Sequence, residues 1–139
     1  MRLLLICLFF GASRIVYSQP GAASNREFPF ESGEGLLWVR VQVPESARPL
    51  GFPLDTGAEA SVIDLKTARE LNLTLGQRVG VRGVASSTDG YWCGTRSAVA
   101  NGVELPNRRL ALDLETLSSS RERRVDGLIG ADFFRSKVV

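Results

Sequence analysis

The chain has 139 residues, 44% of them hydrophobic, and 17 basic against 15 acidic side chains leave a formal charge of +2. That length supports one hydrophobic core and one domain, and charges scattered without an aromatic-studded basic stripe exclude nucleic acid as an expected partner. Histidine is absent, which rules out Ser-His-Asp and Cys-His nucleophiles and histidine-containing zinc sites, so any acid–base chemistry is expected to fall to carboxylates.

From the start of the chain, Arg2 followed by the apolar run LLLICLFFGA and the short residues before Gln19 read as an export signal over residues 1–18. The run meets Ser13 and Arg14 too early for a membrane-spanning helix, which needs about 20 apolar residues. An exported protein, periplasmic or secreted, without stable membrane insertion after signal removal is the expectation. Its mature form keeps Cys93 as the single cysteine and forms no internal disulfide. Cys93 itself reads as a small apolar strand residue rather than a thiol nucleophile. Residues 19–35, QPGAASNREFPFESGEG, mix Pro, Gly, Ser and charge without period and read as a flexible leader. The domain is placed at 36–139.

Within it, LLWVRVQVP alternates Leu37, Val39, Val41 and Val43 with Trp38, Arg40 and Gln42, the period of a half-buried strand. RPLGFPLD reads as a second strand running into Asp55, and SVID as a short third one. Asp64 is placed to cap a helix through LKTARELNL, with helical spacing at Leu65, Ala68 and Leu71. RVGVR and YWCGTRSAV follow as a long hairpin around GVASSTDG, Asn101-Gly102 marks another turn, and RRLALDL puts Leu110, Leu112 and Leu114 on one face. SSSRERR reads as a solvated loop. Asn72-Leu73-Thr74 fits the N-glycosylation pattern. Several short strands, one helix and no βαβ alternation predict a small, all-β, mainly antiparallel domain.

One carboxylate stands out. In FPLDTGAEASVI, residues 52–63, Asp55 lies between two apolar runs and is followed by Thr56 and Gly57. Glycine there permits close approach, and neighbouring backbone N–H groups can hold the carboxylate. The flanking strands lead one to expect Asp55 at the centre of the domain, where a charge is costly without compensation. By itself Asp-Thr-Gly is also what an ordinary strand-ending turn looks like.

Together with VDGLIGADFF at residues 125–134, this stretch resembles the single-lobe, retropepsin-like aspartic peptidases, the family of the retroviral proteases and their bacterial relatives. The resemblance implies a small closed β-barrel of the acid-protease fold and an aspartic endopeptidase acting on polypeptide, without metal or other cofactor. It assigns catalysis to Asp55, with Thr56 bonding across a dimer and Gly57 supporting the carboxylate through its backbone. Leu128, Ile129 and Gly130 would pack around that loop. Substrate contacts fall to Ala58 and to Gly83, Val84 and Ala85 at the tip of a hairpin flap.

One Asp-Thr-Gly supplies only half of a two-carboxylate site, so a symmetric homodimer is expected to bring the second. Asp113, Asp126 and Asp132 are the alternatives within one chain, though none has an Asp-Thr-Gly setting and Asp126 reads as closing a turn. Two departures from the family pattern stand beside this. Ala131 occupies the place where retroviral proteases commonly carry arginine, leaving Glu59 without that partner. Relatives also continue into a further strand where this sequence stops at RSKVV, so a truncated C-terminal edge is expected. A non-catalytic peptide- or protein-binding module on the same fold is the alternative function, and an unrelated β-barrel with Asp55 as a turn residue is the third reading.

Overall fold

The computed structural model describes residues 29–83, 87–94 and 97–135. The expected signal segment and the flap residues Val84 and Ala85 lie outside these. Ten strands form in chain order: β1 (Glu31–Gly33), β2 (Leu36–Val41), β3 (Leu50–Pro53), β4 (Val62–Asp64), β5 (Leu75–Arg82), β6 (Ser87–Gly94), β7 (Val99–Ala100), β8 (Val103–Glu104), β9 (Arg108–Leu112) and β10 (Gly127–Leu128). Helix α1 (Leu65–Glu70) follows β4, α2 (Glu115–Ser119) follows β9, and a 3₁₀ turn (Ala131–Phe133) follows β10. None of these helices is long and apolar enough to cross a membrane.

The strands pair as three sheets, β1-β2-β3, β10-β4-β9-β6-β5 and β7-β8. Pairing is antiparallel except for β4 with β9, where Val62, Ile63 and Asp64 face Leu110, Ala111 and Leu112. The ladder is therefore not one continuous ring among the described residues; single bridges, Leu54 to Ile129 and Gln42 to Val99, join the sheets. The hydrogen-bonded sheet also begins inside the segment read as a leader. Glu34 and Gly35, with φ of 55° and 73°, form a turn that folds β1 back onto β2, pairing Glu31 with Trp38.

Alternation along β2, β4 and β9 feeds two apolar clusters, one on each side. Val39, Val41, Ile63 and Ala111 join Leu50, Phe52, Ile129 and Phe133 in the larger cluster. Trp38, Val62 and Leu110 join Leu114 and Val125 in the smaller. Cover along β2 does not follow strict alternation, since Trp38 is buried while Arg40 and Gln42 on the same face are exposed, and the half-buried reading misplaces two residues. Trp38 is buried and Leu37 is exposed. The indole N–H donates to the Gly33 carbonyl at 3.0 Å and the Arg123 guanidinium lies over the ring.

Helix α1 starts as its cap predicts: Asp64 Oδ2 accepts the Thr67 N–H at 3.0 Å, and Thr67 and Ala68 are buried. Asn72, at φ 53°, ends the segment two residues past Glu70. The single expected helix is joined by α2, which has no side-chain cap on its N-cap residue and no buried residue. The SSSRERR segment is less loose than its charge suggests, because Arg123 pairs with Glu31 at 2.8 Å and Arg124 with Glu70 and Asp126.

Candidate active site

Strand β3 carries the chain out of the core. Phe52 and Pro53 are buried, Leu54 is half-buried, and Asp55, Thr56 and Gly57 are exposed. The expectation of a central, enclosed Asp55 is thus corrected: within one chain the loop turns outward as soon as its last buried anchor is passed. Its backbone is nevertheless fixed. The Leu54 N–H donates to the Leu37 carbonyl, the Asp55 N–H to Ile129 O at 2.9 Å, and the Ile129 N–H back to Pro53 O at 3.0 Å. The Ala58 N–H closes a turn onto Asp55 O at 3.1 Å.

The carboxylate is held by its own loop, since the Gly57 N–H donates to Asp55 Oδ1 at 3.0 Å. Gly57 is not among the positive-φ glycines. A Cβ there would stand 3.2 Å from Asp55 Oδ1, so any side chain at this position would press on the carboxylate. Thr56 is exposed, and among the described residues its hydroxyl has no bond within the chain.

Beneath the loop lies a second layer that the sequence did not disclose. Asp132 Oδ1 accepts both the Ser61 N–H at 2.8 Å and the Ser61 hydroxyl at 2.6 Å, and the Ser61 Oγ accepts the Gly130 N–H at 3.0 Å. The Ala131 N–H donates to Ala58 O at 2.8 Å. Together these bonds tie both ends of the Ala58–Ser61 stretch to the segment after β10. Gly130 is required by how closely that segment approaches: a Cβ would meet Ala60 C at 2.5 Å, Ala60 O at 2.7 Å and Ala58 O at 2.9 Å. Leu128 and Ile129 complete the brace, Leu128 paired with Val62 and Ile129 fully buried.

The other aspartates within the chain are committed elsewhere. Asp132 holds Ser61, and Asp113 accepts the Glu115 N–H at 2.9 Å. Asp126 does more than close a turn. It is buried and accepts from Arg48 Nη1 and Nη2 at 2.8 and 2.7 Å, from the Gly51 N–H at 2.9 Å and from Thr67 Oγ1 at 3.2 Å, with Arg124 Nε at 3.0 Å. Burial opposes its charge, but the Arg48 fork and the Gly51 N–H outweigh it and hold the carboxyl below the usual range. Glu59 is not left without a partner: Arg135 Nη2 reaches it at 3.4 Å, an exposed pair of little energetic weight.

Strands β5 and β6 form the expected hairpin, with Arg82 paired to Ser87 at its described end. Gly83 is exposed there. Arg78 and Asp89 pair across the two strands, and each holds the other in its charged form: the Asp89 carboxyl is lowered by its bond to Arg78. Ala58 is half-buried at the far side of the Asp55 turn.

A single lobe in which Asp-Thr-Gly leaves one buried strand and is braced by an apolar-apolar-Gly segment has the fold of the retropepsin-like aspartic peptidases. The family model described as "Aspartyl protease" matches residues 39–133, and the chain belongs to that family. Among solved structures, the EIAV protease complexed with the inhibitor HBY-793 is similar at 20% identity and a TM-score of 0.50, over 85% of this chain and 98% of that one. The retroviral protease-like domain of Ddi1 from Leishmania major is similar at 19% identity and a TM-score of 0.45, over 72% of this chain and 75% of that one. A comparison with curated proteins finds no match.

Proposed function

We propose that this chain is an aspartic endopeptidase that works as a symmetric homodimer, each subunit supplying one Asp55. The observation that carries the reading is an aspartate whose loop is fixed by backbone hydrogen bonds while its carboxylate remains exposed and, among the described residues, is bonded by the Gly57 N–H alone. A lone surface carboxylate is a weak acid–base catalyst. Two of them about 3 Å apart cannot both ionise and share one proton, which separates their roles.

In the dimer the unprotonated carboxylate takes a proton from water as the water oxygen bonds to the peptide carbonyl carbon, and the protonated carboxyl gives its proton to the carbonyl oxygen. Collapse of the tetrahedral intermediate breaks the C–N bond, and the amine leaves with the proton the first carboxylate had gained. The exposed Thr56 hydroxyl suits a bond to the partner's loop, and an extended polypeptide would lie as an added strand between that loop and the β5–β6 hairpin, near Ala58 and Gly83. Export places the activity in the periplasm or outside the cell.

The test is peptide cleavage by the purified chain and by Asp55→Asn, with the mass in solution measured on the same samples. The reading expects cleavage by a dimer, inhibition by pepstatin-type transition-state mimics, and loss of at least about a thousandfold in Asp55→Asn. Undiminished cleavage in Asp55→Asn refutes it. Peptide binding by an inactive monomer replaces it with a non-catalytic recognition module.

A further inference from the structure

The charge run that ends SSSRERR does more than face solvent. Arg123 and Arg124 meet Arg40 and Arg48, which lie more than seventy positions earlier, and the four guanidinium side chains line one cleft of about 260 Å³. Trp38 and Arg40 reach it from β2, two residues apart and so on one face. Gly51 of β3 and Asp126 complete the lining.

Three carboxylates answer these four cations. Buried Asp126 takes the Arg48 fork at 2.8 and 2.7 Å and Arg124 Nε at 3.0 Å. Glu31 takes Arg40 Nε at 3.0 Å and Arg123 Nη1 at 2.8 Å, and Glu70 takes Arg124 Nη2. Of the three only Asp126 lines the cleft. The Glu31 and Glu70 side chains are each 45% exposed, and pairs so open to water hold little energy, so another anion can take their place. Four cations against three carboxylates leave one positive charge in excess, and against Asp126 alone they leave three. The adjacent Arg121–Glu34 pair adds no net charge.

Donors and room are both left over. Arg40 Nη1, Arg123 Nε and Nη2, and Arg124 Nη1 make no hydrogen bond among the described residues. Arg123 lies 5.8 Å from the centroid of the Trp38 ring, a contact that restrains its guanidinium over the indole. The space comes from Gly51, which sits inside β3 opposite Arg40. A Cβ there would stand 3.2 Å from Arg124 O and 3.6 Å from Trp38 Cζ3 and would narrow the cleft between them. Glycine inside a strand forgoes packing, and it often marks a place where another group approaches the backbone.

We propose that this cleft binds a tetrahedral oxyanion of the phosphate or sulfate type, free or carried as a monoester on a small molecule. Guanidinium edges present N–H donors in a fork that matches such oxygens, and several edges around one volume can serve several oxygens at once. A doubly charged anion also answers the excess of positive charge in the lining. The cleft is separate from the proposed catalytic site: Gly51 precedes Asp55 by four residues, roughly 13 Å of extended chain. Binding here does not depend on whether the chain is a peptidase.

Calorimetric titration of the purified chain at constant, low ionic strength, with inorganic phosphate and with glycerol phosphate, tests the site. A Kd of about 1 mM or tighter and an unfolding midpoint that rises with phosphate are expected. Arg40→Gln and Arg123→Gln should each weaken binding about tenfold. Lys66→Gln removes an exposed cation outside the cleft and should leave binding within about twofold. Glu31→Gln takes away a competing carboxylate and should tighten binding about threefold. Absence of binding to both compounds up to about 10 mM overturns the proposal. So does an equal loss in Lys66→Gln, which reduces the effect to overall charge. If neither arginine variant folds, Glu31→Gln decides: tighter binding supports the site, and unchanged or weaker binding overturns it. Tighter binding of glycerol phosphate names an ester as the source and the reverse names the free ion, and either order supports the site.

Discussion

Replacing Asp126 by asparagine should weaken the fold through a mechanism that pH can dissect. Five donors converge on this carboxylate: two from Arg48 and one each from the Gly51 N–H, Thr67 and Arg124. Asparagine keeps one oxygen, so its amide must point a donor at either the three donors around Oδ1 or the two around Oδ2. The milder choice strands the Gly51 N–H and repels Arg48. An unsatisfied buried N–H costs about 1–3 kcal/mol, and breaking a fully buried ion pair costs about 3–5 kcal/mol. The Arg48 side chain is 51% exposed and that of Arg124 40%, so water recovers part of the second cost. A loss of about 2–4 kcal/mol at pH 7 results, or a midpoint lower by roughly 10–20 °C in a domain of this size.

The Asp126 carboxyl titrates below its ordinary value of 3.8 in the folded chain. Its contribution is therefore complete above that ordinary value and disappears as pH falls through the lower folded one. Asparagine does not titrate. Urea unfolding of the two proteins should consequently differ most at neutral pH and converge in acid below pH 4. A difference under about 1 kcal/mol at pH 7, or one that persists unchanged into acid, would refute this reasoning. The location makes the loss matter for the site. Asp126 also accepts the Asp64 N–H on its carbonyl and donates its own N–H to Gly51 O, both at 2.9 Å, which ties β3 to β4 on either side of the Asp55 loop.

Gly130→Ala should fail for a steric reason: its Cβ would press on Ala58 and Ala60 backbone, so a destabilisation of about 1–3 kcal/mol and lost cleavage are expected in thermal melts and peptidase assays. Wild-type stability in that variant would show that the two segments can separate without cost. Asp64→Ala removes the α1 cap and also the acceptor of the Leu114 N–H at 3.2 Å. It should cost about 2–3 kcal/mol by urea unfolding, more than the roughly 1 kcal/mol of a cap alone; a loss equal to the cap value would remove the Leu114 bond from the account.

Some features were legible because they depend on neighbours in sequence. Asp64 and the spacing of Leu65 and Ala68 announced α1. Asn101-Gly102 announced its turn, and both residues do adopt positive φ, 47° and 77°. Helix α2 was not legible, being five residues long with no N-cap side-chain bond and no buried side. Trp38 and Arg109 were misleading for a different reason. Strict alternation says that two faces exist but not which residues on them are covered: on β2 Trp38 is buried beside an exposed Arg40, and on β9 Arg109, Leu110 and Ala111 are all buried.

Sequence alone determined the strand-rich class, the exclusion of histidine chemistry, and Asp55-Thr56-Gly57 as the place to look, since period, turn preference and residue chemistry are local. Only the folded chain decided what surrounds that place. Ser61 meets Asp132 across 71 positions and Arg48 meets Asp126 across 78, and no local signal encodes which distant donor a carboxylate will find. Exposure of Asp55 was decided the same way, because whether a loop leaves the core depends on what packs beneath it.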